Sequence, residues 1–332
     1  MPAVSAAGAQ GTGLAQPPVQ LLNTTNAITQ KYIVPVLGDE VLIPSPAFWA
    51  LTRLGKKFSG GELVYPVLTQ EELTGGAYFG DQLLDTTVID SVSPADQVWK
   101  FYRQTIALPI TEVILNRGGA GSLDLIKTKF QIAAGSFLMK LSRALWHTAP
   151  QNTTLDVDDL DAWIGQTTNV IAGIDRSVAA NSWWLPQANF PGGGVALSQQ
   201  NAELAYITTV FGYDEPDLMI MDNTRFANFK NQFVGLIRFT ALDQDSEALQ
   251  AGFRYHFLYN NAVVMADRFT PANSCYIVNT KYIFPVFHEA DYFNVDPFIK
   301  PSNQRTVVST MYLTWQVSCV SPRMNVKITN IL

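Results

Sequence analysis

The stretch from Ser122 to His147, SLDLIKTKFQIAAGSFLMKLSRALWH, constrains this chain more than any other. Leu123, Ile126, Phe130, Ala133, Phe137, Leu141 and Leu145 recur at steps of three and four. That spacing predicts one apolar stripe on a long helix. Lys127, Lys129, Lys140 and Arg143 fall on the remaining faces. Gly118, Gly119 and Gly121 break the chain just before it, Ser122 is placed to cap it, and Asp124 suits its first turn. Pro150 stops it soon after its end. At 1.5 Å per residue the helix would span about 38 Å, the width of a small domain. A helix of that length crosses a domain as a spine. An ordinary core helix of an enzyme carries the same signature, so the rest of the chain has to decide between them.

A second element is equally long. Thr306 to Val320, TVVSTMYLTWQVSCV, alternates throughout. Val307, Met311, Leu313, Trp315, Val317 and Cys319 face one way, and Thr306, Thr310, Thr314, Gln316 and Ser318 the other. As a strand it would run about 50 Å, against a usual length of about five or six residues. A strand and a helix of similar great length suggest that they lie together as one elongated slab of an α+β fold.

The first thirty residues carry no Lys, Arg, Asp or Glu. They lack the basic start and compact apolar run of a signal peptide, and no run of about eighteen apolar residues suggests a membrane span anywhere. Their Ala, Gly, Gln and Pro content reads as an extended arm. Between Phe58 and Val98, Leu63–Leu68 and Thr86–Val92 have strand character around a turn-rich Gln70–Asp81, which predicts a long two-stranded hairpin. Val98 to Leu115 reads as strand broken by Pro109. Asp156, Asp158, Asp159 and Asp161 lack the central Gly and closing Glu of a calcium loop and suit the start of a short helix. Ser198 to Phe211 predicts a helix with Leu204, Ile207 and Val210 or Phe211 on one face. Leu218–Met221 reads as a strand, Asn223 as the cap of a helix over Arg225–Ile237, and Arg254–Met265 and Cys275–Val278 as strands.

Chemistry is hard to place on this sequence. His147, His256 and His288 are the only histidines, and none sits in a metal-binding spacing. Cys275 and Cys319 fit neither a disulfide framework nor a zinc site and read as buried free thiols. GGAGS at 118–122 lacks the Gly-Lys-Ser/Thr ending of a phosphate loop. Met219, Met221 and Met265 have the spacing of strand core. Asp175 and Asp267 could act as bases, but no partner in sequence pairs with them. No catalytic residue, cofactor site or metal site emerges, and the chain does not read as an enzyme. With 15% charged and 47% hydrophobic residues, few charges are left to cover a free monomer's surface. The net charge of −6 argues against a protein that grips nucleic acid, though not against one that encloses it.

The order of parts resembles the major capsid (coat) proteins of tailed bacteriophages, whose architecture is the Hong Kong ninety-seven, or Johnson, fold. Three segments carry the likeness: GIDRSVAANSWW (Gly173–Trp184), YNNAVVMADRFTPANSCYIVNTKYI (Tyr259–Ile283) and TWQVSCVSPRMNVKITNI (Thr314–Ile331). The resemblance implies an N-terminal arm over 1–50, an extended E-loop over 51–97, and a peripheral domain with the spine helix over 98–154. It further implies a mixed axial domain over 155–290, a peripheral loop and long strand over 291–321, and a return to the axial domain over 322–332. The implied protein is structural: homo-pentamers and homo-hexamers that close into an icosahedral shell around a double-stranded DNA genome, without sequence-specific DNA binding. Implied partners are other copies, a separate scaffolding protein, a portal and a decoration or cement protein. The implied location is the virion, after synthesis in the bacterial host cytoplasm. The 58–98 stretch has no Lys, so the covalent cross-linking of some relatives is not implied. A nanocompartment shell of encapsulin type, or a soluble enzyme with an unrecognised site, are the alternatives.

Two sets of residues are singled out for assembly. The E-loop of such coats lies across an adjacent subunit, and here the acids Glu62, Glu71, Glu72, Asp81 and Asp85 fall in a stretch, 58–99, that has no Lys or Arg. Arg117, Lys127, Lys129, Lys140 and Arg143 on and before the spine are the expected contacts on a neighbouring copy. Trp183, Trp184 and Trp315 are the expected packing anchors.

Overall fold

A computed structural model describes residues 45–70, 77, 79–81, 83, 90–115, 119–146, 155–187, 190–233 and 256–331. The arm up to residue 44, Glu71, Glu72, Asp85, Arg117, His147 and most of the expected strand Thr86–Val92 lie outside the described residues.

In chain order the elements are α1 (Pro46–Thr52), β1 (Lys56–Phe58), β2 (Leu63–Leu68), β3 (Val92–Gln97), β4 (Lys100–Pro109), α2 (Ile110–Leu115) and α3 (Gly119–Leu145). Then come α4 (Leu160–Ile164), β5 (Val170–Ile171), β6 (Ile174–Asp175), a 3-10 turn (Ala179–Trp184), β7 (Phe190–Val195), α5 (Gln199–Thr208), β8 (Leu218–Met221) and α6 (Asn223–Gln232). The chain closes with β9 (His256–Tyr259), β10 (Ala262–Ala266), β11 (Cys275–Val278), β12 (Ile283–His288), β13 (Asn294–Val295), β14 (Thr306–Cys319) and β15 (Val326–Ile331).

The described residues fall into two compact units, 104–134 with 295–311, and 45–103 with 135–294 and 312–331. In the first unit, Ile126 and Phe130 of α3 are buried, and Phe130 meets Phe298 edge-on at 5.9 Å. The first half of β14 is tied to the segment before it: Ile299 and Val308 exchange backbone hydrogen bonds, and Ser309 Oγ donates to the Asp296 carbonyl at 2.7 Å.

The second unit holds a six-stranded sheet in the order β7-β15-β11-β8-β10-β9. β8 and β11 sit at its centre, and all eight of their side chains are buried, as expected of strands covered on both faces. Met219, Met221, Cys275 and Ile277 face a core shared with Tyr206 of α5 and Phe226 and Phe229 of α6. Tyr276 faces the other way, where Trp146 packs on it at 4.9 Å. A second sheet contains β1, β12 and β14; β1 runs parallel to β12, and β12 antiparallel to β14. The hairpin pairs β2 with β3 from Leu63↔Gln97 to Leu68↔Val92.

The spine stripe is present: Ile126, Phe130, Ala133, Phe137, Leu141 and Leu145 are all buried. Several expectations are corrected. α3 begins at Gly119, so Ser122 lies inside the helix rather than capping it; the glycines, expected to break the chain, enter the first turn at an entropic cost of only about 1 kcal/mol each. The second hairpin strand is Val92–Gln97, where pairing to β2 overrides the poor strand propensity of Pro94 and Asp96. Ile110–Leu115 is helical; Pro109, expected only to break a strand, ends β4 where a helix can start, and Glu112 sits in the first turn. Asp222, not Asn223, caps α6, accepting the Arg225 N–H at 2.8 Å. The first described helix is α1. Ser45 caps that helix, and Ala47, Phe48 and Leu51 are buried. Asp267 fastens it further, accepting Ser45 Oγ at 2.7 Å and the Ala47 N–H at 3.2 Å.

The face of α5 with the larger apolar side chains is not the one that packs. Ala202, Ala205 and Tyr206 are buried, while Leu204 and Ile207 are 49% and 56% exposed. Two alanines let the helix lie close to the sheet, and Tyr206 Oη donates to the Pro216 carbonyl at 3.3 Å. The two large aliphatics are left on the outside.

Candidate subunit-contact surfaces

The hairpin has two different faces because side chains alternate along each strand. Leu63, Val67, Ala95 and Gln97 turn inward and are buried. Leu63 joins Trp99, Phe284 and Val286 in one cluster, and Trp99 Nε1 donates to the Gly60 carbonyl at 2.9 Å. The outward face pairs Val64 with Asp96, Pro66 with Pro94, and Leu68 with Val92. Leu68 is 69% exposed there, and Val64 and Val92 about half. Towards the tip Phe79 and Leu83 are almost fully exposed. Glu62, Asp81, Asp90 and Asp96 are exposed along the same hairpin. A two-stranded ribbon is marginal alone in water, and an apolar face of this size edged with acids has the character of a contact surface.

Polar side chains fix the root of this hairpin. Gln97 Nε2 donates to Asp158 Oδ2 at 2.8 Å and to the Val317 carbonyl at 3.0 Å. Its Oε1 accepts Ser318 Oγ at 2.7 Å and shares the single Tyr65 hydroxyl hydrogen with the Cys319 carbonyl, the two acceptors lying 3.4 and 3.2 Å from Tyr65 Oη. Gln316 Nε2 donates to Asp158 Oδ2 at 3.1 Å and to the Val98 carbonyl at 3.2 Å, and its Oε1 accepts the Asp158 N–H at 2.9 Å. Thr314, Gln316 and Ser318, the polar face of β14, are therefore buried. Burial pushes the Asp158 carboxyl above the usual carboxylate range, opposed by the Gln97 amide and by Lys100.

On the spine, Lys127 and Lys140 are exposed. Lys129 meets Glu112 of its own chain at 3.4 Å, with both side chains partly exposed. The Arg143 guanidinium lies 6.0 Å from the Phe269 ring. Glu112 escaped the sequence reading because it lies outside the spine.

Trp184 and Trp315 are fully buried. Trp184 packs edge-on against Trp163 at 5.7 Å, and Trp315 sits among Phe48, Tyr102 and Phe287 at 5.6, 5.9 and 6.2 Å. Trp183 is half-buried and lines a groove of about 350 Å³ with Leu68, Gln70, Ser321 and Arg323.

One residue that sequence reasoning passed over holds this region together. Arg176 of the GIDR segment is 3% exposed. It donates to the carbonyls of Trp184 at 3.0 Å, Ala162 at 2.8 Å, Gln166 at 3.0 Å and Trp163 at 3.1 Å, and to Asn169 Oδ1 at 3.2 Å. Two of these carbonyls belong to α4, whose last carbonyls have no intrahelical donor. The signal was available: Arg176 is the only base between Ala162 and Gln187.

The residues considered for catalysis are engaged in local structure. Asp267 holds α1 and accepts the Phe269 N–H at 2.8 Å. Asp175 accepts both the N–H and hydroxyl of Ser177, which hold its carboxyl below the usual range. Asp159 caps α4, accepting the Ala162 N–H at 2.5 Å. Asp156 accepts Tyr102 Oη at 2.9 Å. Among the described residues there is no group of three or more metal-ligating side chains, and no helix is long and apolar enough to cross a membrane.

No protein-family model and no curated protein matches the sequence. Solved structures do match the fold. A chain of the cyanophage A-1(L) capsid asymmetric unit superposes with a TM-score of 0.63 at 12% identity, covering 87% of this chain and 93% of that one. The capsid of a native GTA particle superposes with a TM-score of 0.56 at 10% identity, covering 99% of this chain and 96% of that one. The chain has the fold of phage capsid proteins.

Proposed function

We propose that this chain is the coat subunit of a closed shell, assembling as pentamers and hexamers into an icosahedral capsid around a phage's double-stranded DNA. The observation that carries the reading is a capsid fold matched over nearly the whole chain, joined to a hairpin whose outward face is apolar and exposed. In this reading 1–50 is the arm, 51–97 the E-loop, 98–154 the peripheral domain, 155–290 the axial domain, 291–321 the peripheral loop and long strand, and 322–332 the return. Function lies in assembly rather than catalysis. The hairpin acids Glu62, Glu71, Glu72, Asp81 and Asp85 face the bases Arg117, Lys127, Lys129, Lys140 and Arg143 of a neighbouring copy. A scaffolding protein, a portal and a decoration protein are the further partners, and the virion is the final location.

Expression of the chain with and without a scaffolding protein, followed by size-exclusion chromatography and electron microscopy, tests this. Closed particles in the megadalton range are expected. A chain that stays monomeric at high concentration in both cases refutes it. Particles filled with a protein cargo instead of DNA would assign the fold to a nanocompartment shell.

A further inference from the structure

The carboxylate at the hairpin root is unusual in its surroundings. The groups that hold Asp158 Oδ2 are neutral amides, Gln97 Nε2 from β3 and Gln316 Nε2 from β14. Each amide uses its second hydrogen on a backbone carbonyl, Val317 and Val98 respectively. Both strands of the hairpin also reach β14 directly: Tyr65 Oη donates to the Cys319 carbonyl at 3.2 Å, and Gln97 Oε1 accepts Ser318 Oγ at 2.7 Å. Asp158 is thus bonded to the hairpin and to β14 at once, through a single oxygen. We propose that Asp158, clasped by the Gln97 and Gln316 amides, is a proton-responsive latch that sets how firmly the β2–β3 hairpin is held against β14.

The physical argument begins with solvation. With the root closed, the carboxylate has given up water for two neutral donors, which favours its neutral form. With the root open, it would be hydrated and titrate as an ordinary carboxyl. The closed root therefore binds the proton more tightly than the open root. Closing is favoured at low pH, and that support is lost as pH rises through the raised pKa of Asp158.

The charged and titratable groups around it are few. Lys100 of β4 stabilises the ionised form. Tyr65 of β2 bonds to Gln97, and its own ionisation is pushed up by burial. Tyr102 of β4 bonds to Asp156, and Asp159 caps α4. Arg176 and Cys319 act on Tyr65 and on each other, and burial pushes the Cys319 thiol up to about 12.

Backbone hydrogen exchange of the full-length chain, followed by mass spectrometry and corrected for the intrinsic pH dependence of exchange, reads the latch. Amides of 63–68 and 92–97 should be severalfold better protected at the acid end of the range in which the chain stays folded than at its alkaline end. Asp158→Asn keeps the shape and removes the charge, so protection should stay near its low-pH level throughout. His288, which meets Trp99 edge-on at 5.2 Å, is unchanged in that variant, so any contribution from it persists. Lys100→Met, a change at a half-buried site, should move the transition to higher pH. The proposal is overturned if Asp158→Asn retains the wild-type pH dependence, or if the wild type has none in these amides. Should Asp158→Asn fail to fold, Lys100→Met decides alone: no shift, or a shift to lower pH, overturns it.

Discussion

Arg176 offers the sharpest test of how this fold is held. The guanidinium is buried and surrounded by five oxygen acceptors, none of them a carboxylate. Burial pushes its pKa down to about 10, so the charge itself is a cost in the folded state. What stabilises the fold is the planar fork of donors, which joins carbonyls of α4, Gln166 and Trp184 through one side chain. Arg176→Met removes its donors from all five acceptors; the Ala162 carbonyl keeps Asn169 Nδ2 at 3.1 Å, and the other four lose the Arg176 bond at about 1 kcal/mol each. Recovering the burial cost of the charge offsets part of that sum, leaving a net loss of about 3 kcal/mol. Arg176→Lys keeps the charge but offers three donors from one point, so it should restore less than half of the loss. The assay is urea unfolding of the unassembled subunit, read by tryptophan fluorescence, since Trp163 and Trp184 lie against this side chain. If Arg176→Met stays within about 1 kcal/mol of wild type, or if Lys restores full stability, the reasoning about donors is wrong.

Three further outcomes are expected. Trp184→Ala and Trp315→Ala, at fully buried rings, should each cost about 3–5 kcal/mol in the same unfolding assay, whereas Trp183→Ala at its half-buried site should cost about 1 kcal/mol. Cys275 and Cys319 are free and buried, and burial pushes the Cys319 thiol up to about 12 and the Cys275 thiol further; iodoacetamide should label neither in the native chain and both after denaturation, and a disulfide-linked mass would contradict the structure. Glu71→Lys combined with Glu72→Lys should lower particle yield, and opposite reversals at Lys127 and Lys140 should restore part of it, each exposed pair being worth about 0–1 kcal/mol; unchanged yield in electron micrographs would remove charge from the account of assembly.

The parts legible in the sequence are those where one strong period covers many residues. The α3 stripe from Ile126 to Leu145 and the β14 alternation from Val307 to Cys319 needed no tertiary knowledge, and β2, β8 and β11 matched their expected limits. The misread parts are those where tertiary contacts override a local preference. ITEVIL at 110–115 is rich in branched residues yet helical. VSPADQ at 92–97 is poor strand material, yet β2 pairs with all of it. The sides of α5 could not be ranked from size, because closeness of approach favoured Ala202 and Ala205 over Leu204 and Ile207. The contact surfaces divide in the same way. The hairpin was visible as an acidic stretch without bases, but Gln97 and Gln316 lie more than two hundred residues apart in the chain, and nothing local marks them as partners of one carboxylate.

That carboxylate explains a division of labour in the hairpin. An apolar face supplies adhesion without direction, so Val64, Leu68 and Val92 would hold a partner at many angles. Direction has to come from the root, where hydrogen bonds have narrow geometry. Gln97 and Tyr65 provide it from the hairpin by donating to β14 carbonyls, and Gln316 and Ser318 provide it from β14 by bonding to Asp158 and Gln97. A wholly apolar root could be more stable, since burying a carboxylate among amides costs energy. It would also let the ribbon slide or pivot. The polar root therefore contributes a defined orientation more than stability. If the chain is the coat subunit proposed above, presenting the same apolar ribbon to the same neighbour in every copy needs that orientation first.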